Sequence, residues 1–325
     1  MSARPQAMVL AAGLGTRLWP LTDEVAKPAV PFLGRPLVEW VVELLGKHGI
    51  EHAVVNTHHK AQSVTRALPE PIMHGVRVTF SHEPEILGTA GALERALETG
   101  LLFRDRPVLV INAKLFTDYD LSALLEEHRR SGAQVTMGLR PNSAREAFRE
   151  VLVDDGWVTG FGDGRVPKGS EPLLFTGIHV LEPDVVASIA PGLSDTIADV
   201  YPPLIATRQV RGHVDARGRW WELSTLNRYL ELHVRAVQEG LWTSPNGVVA
   251  SAGAWVDPAA RVVRSVLWEG ARIEPGAEVI DSIIGRGVRI ASGRRVQHEV
   301  VVKVSNERPE RGRVEDGLLF ASIGA

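Results

Sequence analysis

An internal repeat near the C-terminus constrains the fold of this chain more than any other feature of its sequence. Arg264–Ile273 (RSVLWEGARI) and Asp281–Ile290 (DSIIGRGVRI) match at a shift of 17 residues. Aliphatic residues recur at steps of six, five, six, six, five and six residues, at Val256, Val262, Leu267, Ile273, Val279, Ile284 and Ile290. A six-residue step with one aliphatic corner is typical of a hexapeptide β-helix, in which each step is a short strand and a turn. The pattern predicts a short left-handed parallel β-helix over residues 247–304, with 17 residues in each triangular coil.

The predicted β-helix is short. Only two to three coils fit into it, close to the roughly three repeats that such stacks need. We therefore expect the coil to lean on the rest of the chain or on another subunit, either in a homo-oligomer or in a pair with an active homologue. Residues 305–325 show no clear periodicity and are predicted to be a tail.

The first two-thirds of the chain alternate short apolar runs with helical patterns. Strands are predicted at Met8–Ala12, His52–Asn56, Val76–Phe80 and Pro107–Asn112, with amphipathic helices between them. This alternation predicts an α/β domain over residues 1–240, Rossmann-like and three-layered, with a mixed, mostly parallel sheet. Between residues 135 and 222, short strands with turn signals at Asp155–Gly156 and at residues 162–164 predict an antiparallel flank.

The composition excludes several classes of protein. Lys and Arg total 36 against 39 for Asp and Glu, a net charge of −3, so no basic excess points to nucleic acid. No cysteine is present, which rules out disulfides, thiolate nucleophiles and zinc–thiolate sites. The apolar run at residues 8–12 is too short for a signal peptide, and no run could span a bilayer. We expect a cytoplasmic protein without membrane contacts.

A glycine-containing loop follows the first predicted strand. Gly13 and Gly15 let backbone N–H groups approach a phosphate, because no Cβ stands in the way. Arg17 offers a fork of donors to a triphosphate, and Lys27 offers a point charge to a second anionic group. The third glycine of a dinucleotide-binding fingerprint is absent near Leu18, which disfavours a dehydrogenase. The loop therefore predicts triphosphate binding.

The wording of the loop, LAAGLGTRLWPLTDEVAKPAVP from Leu10 onward, resembles the signature loop of the sugar-1-phosphate nucleotidyltransferases, or NDP-sugar pyrophosphorylases. The resemblance covers residues 8–235 in the family's order. The segments LGTAG and the β-helical tail look most like mannose-1-phosphate guanylyltransferases. The other matching stretches are VVNTHHKAQSV (Val54–Val64), HEPEILGTAGAL (His82–Leu93), FTGIHVLEP (Phe175–Pro183) and WWELSTLNRYLELH (Trp220–His233).

The resemblance implies transfer of a nucleotidyl group from an NTP, with GTP favoured, to a sugar 1-phosphate, giving an NDP-sugar and pyrophosphate. It implies Mg²⁺ as the cofactor of an active enzyme. By position, Arg17 and Lys27 would be catalytic, and Gly177 and Glu222 would contact the sugar. Nucleotide contacts would come from Ala11, Gly13, Gly15, Thr16, Glu83, Gly88, Thr89, Asn112 and Lys114.

Two positions depart from the family pattern. The family has a Gly-Asp pair after the central strand, where the Asp binds Mg²⁺, but this chain has Ala113 and Lys114 there. At the second metal position Glu222 replaces an Asp, and Ser224 replaces a nearby Gly. A lysine ammonium supplies one charge and three donors, whereas Mg²⁺ supplies two charges and octahedral coordination. No metal ligand is therefore predicted, and Mg²⁺ binding is in doubt.

Two functional hypotheses follow from these departures. The chain is either a nucleotidyltransferase or a non-catalytic regulatory or scaffold subunit that senses a nucleotide or NDP-sugar through the retained pocket. Two further explanations of Lys114 stay open. It is an alteration in an active enzyme, or other carboxylates such as Asp118 or Asp120 recruit the metal, although Asp120 fits the N-cap of the following helix better.

Overall fold

The structure is a computed structural model that describes residues 4–142, 148–162, 172–304 and 311–324. The predicted turn at residues 162–164 lies mostly outside the described residues. The chain divides into two compact units. The first comprises Met1–Gly13 and Val38–Trp220, and the second comprises Leu14–Leu37 and Trp221–Ala325. The segment that follows the first strand is thus grouped with the C-terminal part of the chain.

The N-terminal half of the chain alternates strands and helices. In chain order the elements are β1 (Gln6–Leu10), α1 (Leu21–Glu24), β2 (Pro31–Phe32), β3 (Arg35–Pro36), α2 (Leu37–Lys47), β4 (His52–Thr57), α3 (Ala61–Ala67), β5 (Ile72–Met73), β6 (Val76–His82), α4 (Gly88–Glu98), β7 (Val108–Asn112), β8 (Leu115–Thr117) and α5 (Leu121–Ser131).

Strands dominate the remainder of the chain. They are β9 (Val135–Pro141), β10 (Glu150–Asp154), β11 (Trp157–Phe161), β12 (Leu173–Leu181), β13 (Val210–Val214), β14 (Trp220–Glu222), β15 (Val249–Ala250), β16 (Trp255–Val256), β17 (Arg261–Val263), β18 (Val266–Leu267), β19 (Arg272–Ile273), β20 (Glu278–Ile280), β21 (Ile283–Ile284), β22 (Arg289–Ile290), β23 (Arg295–Gln297), β24 (Glu299–Lys303), β25 (Arg313–Glu315) and β26 (Leu318–Ser322). The helices are α6 (Pro183–Ala187), α7 (Tyr201–Ala206) and α8 (Leu226–Gln238).

The first unit is built on one ten-stranded sheet with the order β10-β11-β13-β9-β12-β7-β1-β4-β6-β5. Its centre, β7-β1-β4-β6, is parallel, as the alternating pattern predicts. The strands of this centre are buried and rich in Val, Ile, Leu and Ala, because helices cover a sheet of this kind on both faces. The mixed α/β architecture of the prediction is confirmed.

The prediction that this sheet is mostly parallel is wrong. β12 lies between β7 and β9 and runs antiparallel to both, and β10 and β11 form a hairpin. In the described sheet, antiparallel pairings outnumber parallel ones. The hairpin turns at Asp155–Gly156, where both residues have positive φ (47° and 76°), as the predicted two-residue turn requires. The antiparallel flank is therefore larger than the sequence pattern indicates.

Residues 249–303 of the second unit form a three-faced stack of parallel strands. The faces are β15-β18-β21-β24, β16-β19-β22 and β17-β20-β23. Partners across the stack are 17 residues apart, as in Arg272↔Arg289 and Val279↔Val296. The aliphatic positions predicted to line the interior are buried or packed against the core. The periodic reading of the sequence is confirmed for the parallel coil.

One corner of this coil is marked by a left-handed backbone. Arg264, Asp281 and His298, each 17 residues apart, have φ of 43°, 48° and 53°. The guanidinium of Arg264 donates to the carboxylate of Asp281 (2.7 Å). Beside this corner, Ser282 N–H donates to Ser265 Oγ (3.1 Å). A corner that recurs with the same conformation keeps successive coils in register.

The tail prediction for residues 305–325 needs correction. Among the described tail residues, β26 pairs antiparallel with β24 at the end of one face of the coil, and β25 pairs with β26. Phe320 on β26 is buried between the guanidinium groups of Arg294 and Arg313, which lie 4.4 and 4.5 Å from its ring centroid. Strands of three to five residues leave little periodic signal, which is why the sequence pattern misses them.

Three buried histidines make the stability of the fold depend on pH. Burial lowers the pKa of His128 and of His233 to about 4, and that of His179 to about 3. In His233, Nε2 accepts from Leu33 N–H (3.3 Å) while Nδ1–H donates to Tyr229 O (2.8 Å), an arrangement that needs the neutral ring.

We expect these histidines to destabilise the protein in mild acid. An unfolded histidine titrates near about 6.5, so between that pH and about 4 the unfolded chain binds more protons than the native one. The free energy of unfolding should therefore fall by up to about 1.4 kcal/mol per pH unit for each histidine. Urea unfolding at about pH 7.5, 6.5 and 5.5 measures this slope. A profile that is flat from the highest to the lowest of these values would contradict it.

The described helices are all short relative to a bilayer. None of them has the length and apolar character that a membrane span requires.

Candidate functional site

A chain of hydrogen bonds runs along the carboxyl ends of the parallel strands in the first unit. Ala11 N–H, just after β1, donates to Asn56 Oδ1 on β4 (2.6 Å). Asn56 Nδ2 donates to Glu83 Oε1 just after β6 (2.8 Å), and Glu83 Oε2 accepts from Leu87 N–H (3.2 Å). Ligands of open α/β sheets bind at this edge. The chain of bonds therefore fixes three loop starts where a ligand is expected.

Glu83 is predicted to contact the base or ribose. Its side chain is fully buried, and both its carboxylate oxygens accept hydrogen bonds from Asn56 and Leu87. A carboxylate used in this way holds the loop that leads into α4. Its action on a nucleotide is therefore through the backbone of residues 83–87, and Asn56, which sequence reasoning did not single out, is its partner.

The N-terminal turn of α4 carries the predicted residues Gly88 and Thr89. Gly88 has φ +76°, and a Cβ there would lie 2.3 Å from Ser194 O. Thr89 Oγ1 donates to Asp195 Oδ2 (2.9 Å) and accepts from Thr196 N–H (2.8 Å). The segment around Ser194 therefore locks this turn in place, and sequence reasoning missed it because its residues lie more than a hundred positions away.

Asn112 and Gly177 face each other across neighbouring strands. Asn112 ends β7, and Gly177 lies at an irregularity in β12 with φ +77°. A Cβ on Gly177 would lie 2.2 Å from Asn112 Nδ2, so only glycine fits there. Asn112 and Gly177 thus belong to one location at the end of the central strands, as their predicted roles require.

Lys114 follows β7 in the turn that leads to β8, and it is half-buried. The two carboxylates considered as replacement metal ligands already have partners in the protein. Asp118 forms an ion pair with Arg219 (3.1 Å), and Asp120 Oδ1 caps α5 by accepting from Ala123 N–H (2.9 Å). The N-cap assignment of Asp120 is confirmed.

The remaining predicted phosphate residues belong to the second unit. Thr16–Leu18 form a single 3₁₀ turn, in which Thr16 and Arg17 are exposed. Gly15 before the turn has φ +69°, and a Cβ there would lie 2.9 Å from Lys27 Cβ. Thr22 Oγ1 donates to Gly15 O (3.3 Å). The loop thus folds back on itself and holds Arg17 and Lys27 in one short segment.

Glu222, also in the second unit, is buried with 4% of its surface exposed. The indole of Trp221 beside it lies edge-on to Phe32, with ring centroids 6.1 Å apart, and the Arg235 guanidinium lies over the same indole at 5.2 Å. Glu222 therefore lies in a well-packed aromatic setting at the end of β14, and its contact with a sugar stays a prediction.

Comparison with known proteins fits this arrangement. Residues 6–239 match the model of the family described as "Nucleotidyl transferase". The chain belongs to the nucleotidyl transferase family. The match spans the parallel sheet edge, the Gly15–Lys27 loop and α8, which together contain every predicted site residue.

Individual members of the nucleotidyl transferase family are similar at moderate identity. A UTP–glucose-1-phosphate uridylyltransferase of Synechocystis is 32% identical over 62% of this chain and 55% of its own length. A mannose-1-phosphate guanyltransferase of Debaryomyces hansenii is 28% identical over 79% of this chain and 73% of its own length. The catalytic subunit beta of the Drosophila pseudoobscura guanylyltransferase is 30% identical over 79% and 70%, respectively. The alignment thus spans about half of the uridylyltransferase and about three quarters of the guanyltransferases.

The nucleotidyl transferase family generally uses a divalent metal ion. In this chain the residue after Asn112 and Ala113 is a lysine, whose ammonium repels a cation. Among the described residues, no group of three His, Asp or Glu side chains could hold a metal. The donors present therefore do not fit a resident divalent ion, and the chemistry below is derived from side chains alone.

Gly13 offers a direct test of the phosphate loop. It is exposed, no atom lies within 4 Å of a Cβ built on it, and its φ lies outside the left-handed region. Gly13→Ala should therefore leave the melting temperature unchanged. A close phosphate would meet the added methyl, so calorimetry should show GTP affinity weakened by about tenfold. Gly160→Ala is the matched control, because its Cβ also meets nothing within 4 Å. Unchanged GTP affinity in Gly13→Ala would remove Gly13 from the site.

Proposed function

We propose that this protein transfers a nucleotidyl group from an NTP to a sugar 1-phosphate. An oxygen of the sugar phosphate forms a bond to the α-phosphorus. The bond from that phosphorus to the oxygen bridging to the β-phosphate breaks, and pyrophosphate leaves with the electron pair. Such a displacement needs alignment and charge neutralisation more than proton transfer. The observation that carries the proposal is the family match across residues 6–239.

The side chains assigned to this chemistry are cationic or held rigidly. In the proposal, Arg17 binds the triphosphate through its fork of donors, and Lys27 bridges the α-phosphate and the sugar phosphate. Lys114 contributes a third positive charge. Backbone N–H groups near Gly13, Gly15 and the start of α4 contact the nucleotide, since the packing around those turns leaves no space for a larger residue at 15 or 88.

The nucleotide and the assembly are further parts of the proposal. GTP is favoured because several relatives are named as mannose-1-phosphate guanyltransferases, although a uridylyltransferase is also among the similar proteins. We further propose that the coil is a left-handed β-helix. Through it the chain would form homo-oligomers or pair with an active homologue.

A second candidate function rests on Lys114. An ammonium at the end of β7 can pair with a triphosphate but cannot coordinate its oxygens as a metal does. On this reading the chain binds a nucleotide or NDP-sugar and transfers slowly or not at all, as a regulatory or scaffold subunit.

One assay separates the two candidates. Purified protein is incubated with GTP or UTP and with mannose or glucose 1-phosphate, with Mg²⁺ or with EDTA, and pyrophosphate release is followed. Turnover of about 1 s⁻¹ or faster supports the enzyme and rules out the non-catalytic subunit. Binding of GTP or UTP by calorimetry without turnover supports the subunit. Neither binding nor turnover with any of these substrates contradicts both.

A further inference from the structure

The loop that carries Arg17 and Lys27 is grouped with the coil. Leu14–Leu37 belongs to the same compact unit as Trp221–Ala325, although it directly follows β1 of the other unit in sequence. The residues that fix this segment are therefore found on α8 and on the coil. An ion pair and a set of buried hydrogen bonds provide the connection.

The ion pair joins the coil to α1. Arg286, in the corner between β21 and β22, donates through Nε to Glu24 Oε1 (2.6 Å) and through Nη1 to Glu269 Oε2 (2.7 Å). Glu24 is the last residue of α1 and lies between Arg17 and Lys27 in sequence. Burial raises the pKa of the Glu24 carboxyl, and the Arg286 guanidinium opposes that rise. Arg286 thus favours the charged form of the carboxylate to which it is bonded.

The buried bonds join the same segment to α8. Trp268 Nε1–H, in the coil, donates to Tyr229 OH (3.0 Å), and Tyr229 OH donates to Pro31 O (2.6 Å). Pro31 lies four residues after Lys27. The end of the segment after Lys27 is thereby fixed by buried groups, while Glu24 is held only at a half-exposed ion pair, with 34% of its side chain exposed.

Movement at Glu24 would reach both phosphate residues. α1 packs directly after the 3₁₀ turn of Arg17, and Gly15 before that turn lies against the Lys27 side chain. Because Thr22 on α1 bonds Gly15 O, the turn, α1 and Lys27 move as one short body.

We propose that the Glu24–Arg286 ion pair is a positioning link through which the coil sets the geometry of Arg17 and Lys27. The inference rests on the proposed role of those two residues as phosphate ligands. Arg286 and Glu24 touch no reacting atom in this scheme. They act through the loop, so the coil is part of the catalytic apparatus by position.

The energetics make the link separable from folding. A half-exposed ion pair contributes little to global stability, so Arg286→Ala should leave the melting temperature nearly unchanged. Loss of the tether should instead raise hydrogen exchange in the loop. The N–H groups of Leu18, Trp19, Asp23 and Val25 donate to carbonyls within the segment, so their exchange reports its order without any ligand.

The experiment compares Arg286→Ala, Arg286→Lys, Glu24→Gln and the double variant Glu24→Gln/Arg286→Ala. Arg289→Ala is the matched control, because Arg289 is also a coil arginine bonded to a carboxylate (Glu274, 2.7 Å) but not to the loop. Exchange at those four amides and the calorimetric affinity for GTP and UTP are measured.

We expect Arg286→Ala and Glu24→Gln each to speed exchange and to weaken nucleotide binding by about fivefold, with the double variant no worse than either single one. Arg286→Lys should recover part of both effects, and Arg289→Ala should change neither. Unchanged exchange in Arg286→Ala, additive effects in the double variant, or equal effects in Arg289→Ala would overturn the link. If the wild type binds neither GTP nor UTP, the proposed function fails while the exchange result still decides whether the link exists.

Discussion

Replacing Arg17 with alanine is expected to slow pyrophosphate release by about 10²–10³-fold. That is the usual cost of removing one preorganised donor from the charge that develops in a transition state. Arg17 is exposed on a 3₁₀ turn, so the protein should fold as before. The measurement is kcat and kcat/KM for the NTP and sugar 1-phosphate pair that is turned over by the wild type.

Two further variants sharpen the Arg17 test. Arg17→Lys keeps the charge but loses the planar fork of donors, so its rate should lie between those of the wild type and Arg17→Ala. Arg66→Ala removes another exposed arginine, in the last turn of α3, and should leave the rate unchanged. If Arg17→Ala retains more than about a tenth of the wild-type rate, Arg17 does not stabilise the transition state.

Tyr229→Phe is expected to lower the free energy of unfolding by about 2–4 kcal/mol. The change leaves two buried partners unsatisfied, the indole N–H of Trp268 and the carbonyl of Pro31, and each unsatisfied group costs about 1–3 kcal/mol. Tyr229 is fully buried, so water cannot replace its hydroxyl without rearrangement. Urea unfolding followed by tryptophan fluorescence measures the loss.

The control for Tyr229 is another buried tyrosine. Tyr119 OH donates to His213 O (2.8 Å) but accepts from no buried indole, so Tyr119→Phe should cost about 1 kcal/mol. Faster hydrogen exchange in residues 27–33 should accompany Tyr229→Phe alone. A loss below about 0.5 kcal/mol would show that the hydroxyl does not connect α8 with the segment and the coil.

Local periodicity was enough to predict the elements with regular spacing. The coil follows from a 17-residue step, because each strand has the same partner one coil away. α8 follows from its apolar face, and Thr225 caps it by accepting from Arg228 N–H (3.2 Å). Gly15 and Gly177 both have the positive φ that makes glycine necessary there.

Partners distant in sequence account for what the pattern missed. Asn56 was unnoticed because its role depends on Ala11 and Glu83, which come to the same sheet edge only after folding. The antiparallel placement of β12 depends on the strands on either side of it, not on its own sequence. Nothing in residues 14–37 alone indicates that they pack with the coil.

The fixed 17-residue step also governs how the length of this protein can change. One whole coil, such as residues 281–297, could be duplicated in place while every strand kept a neighbour of the same kind. Each face would gain one rung of about 4.8 Å. An insertion of any other size would put interior aliphatics on the outside of all later coils. Because β26 runs antiparallel to β24, growth beyond that strand would need a different join. The coil can therefore lengthen only in whole units, and only before its last strand.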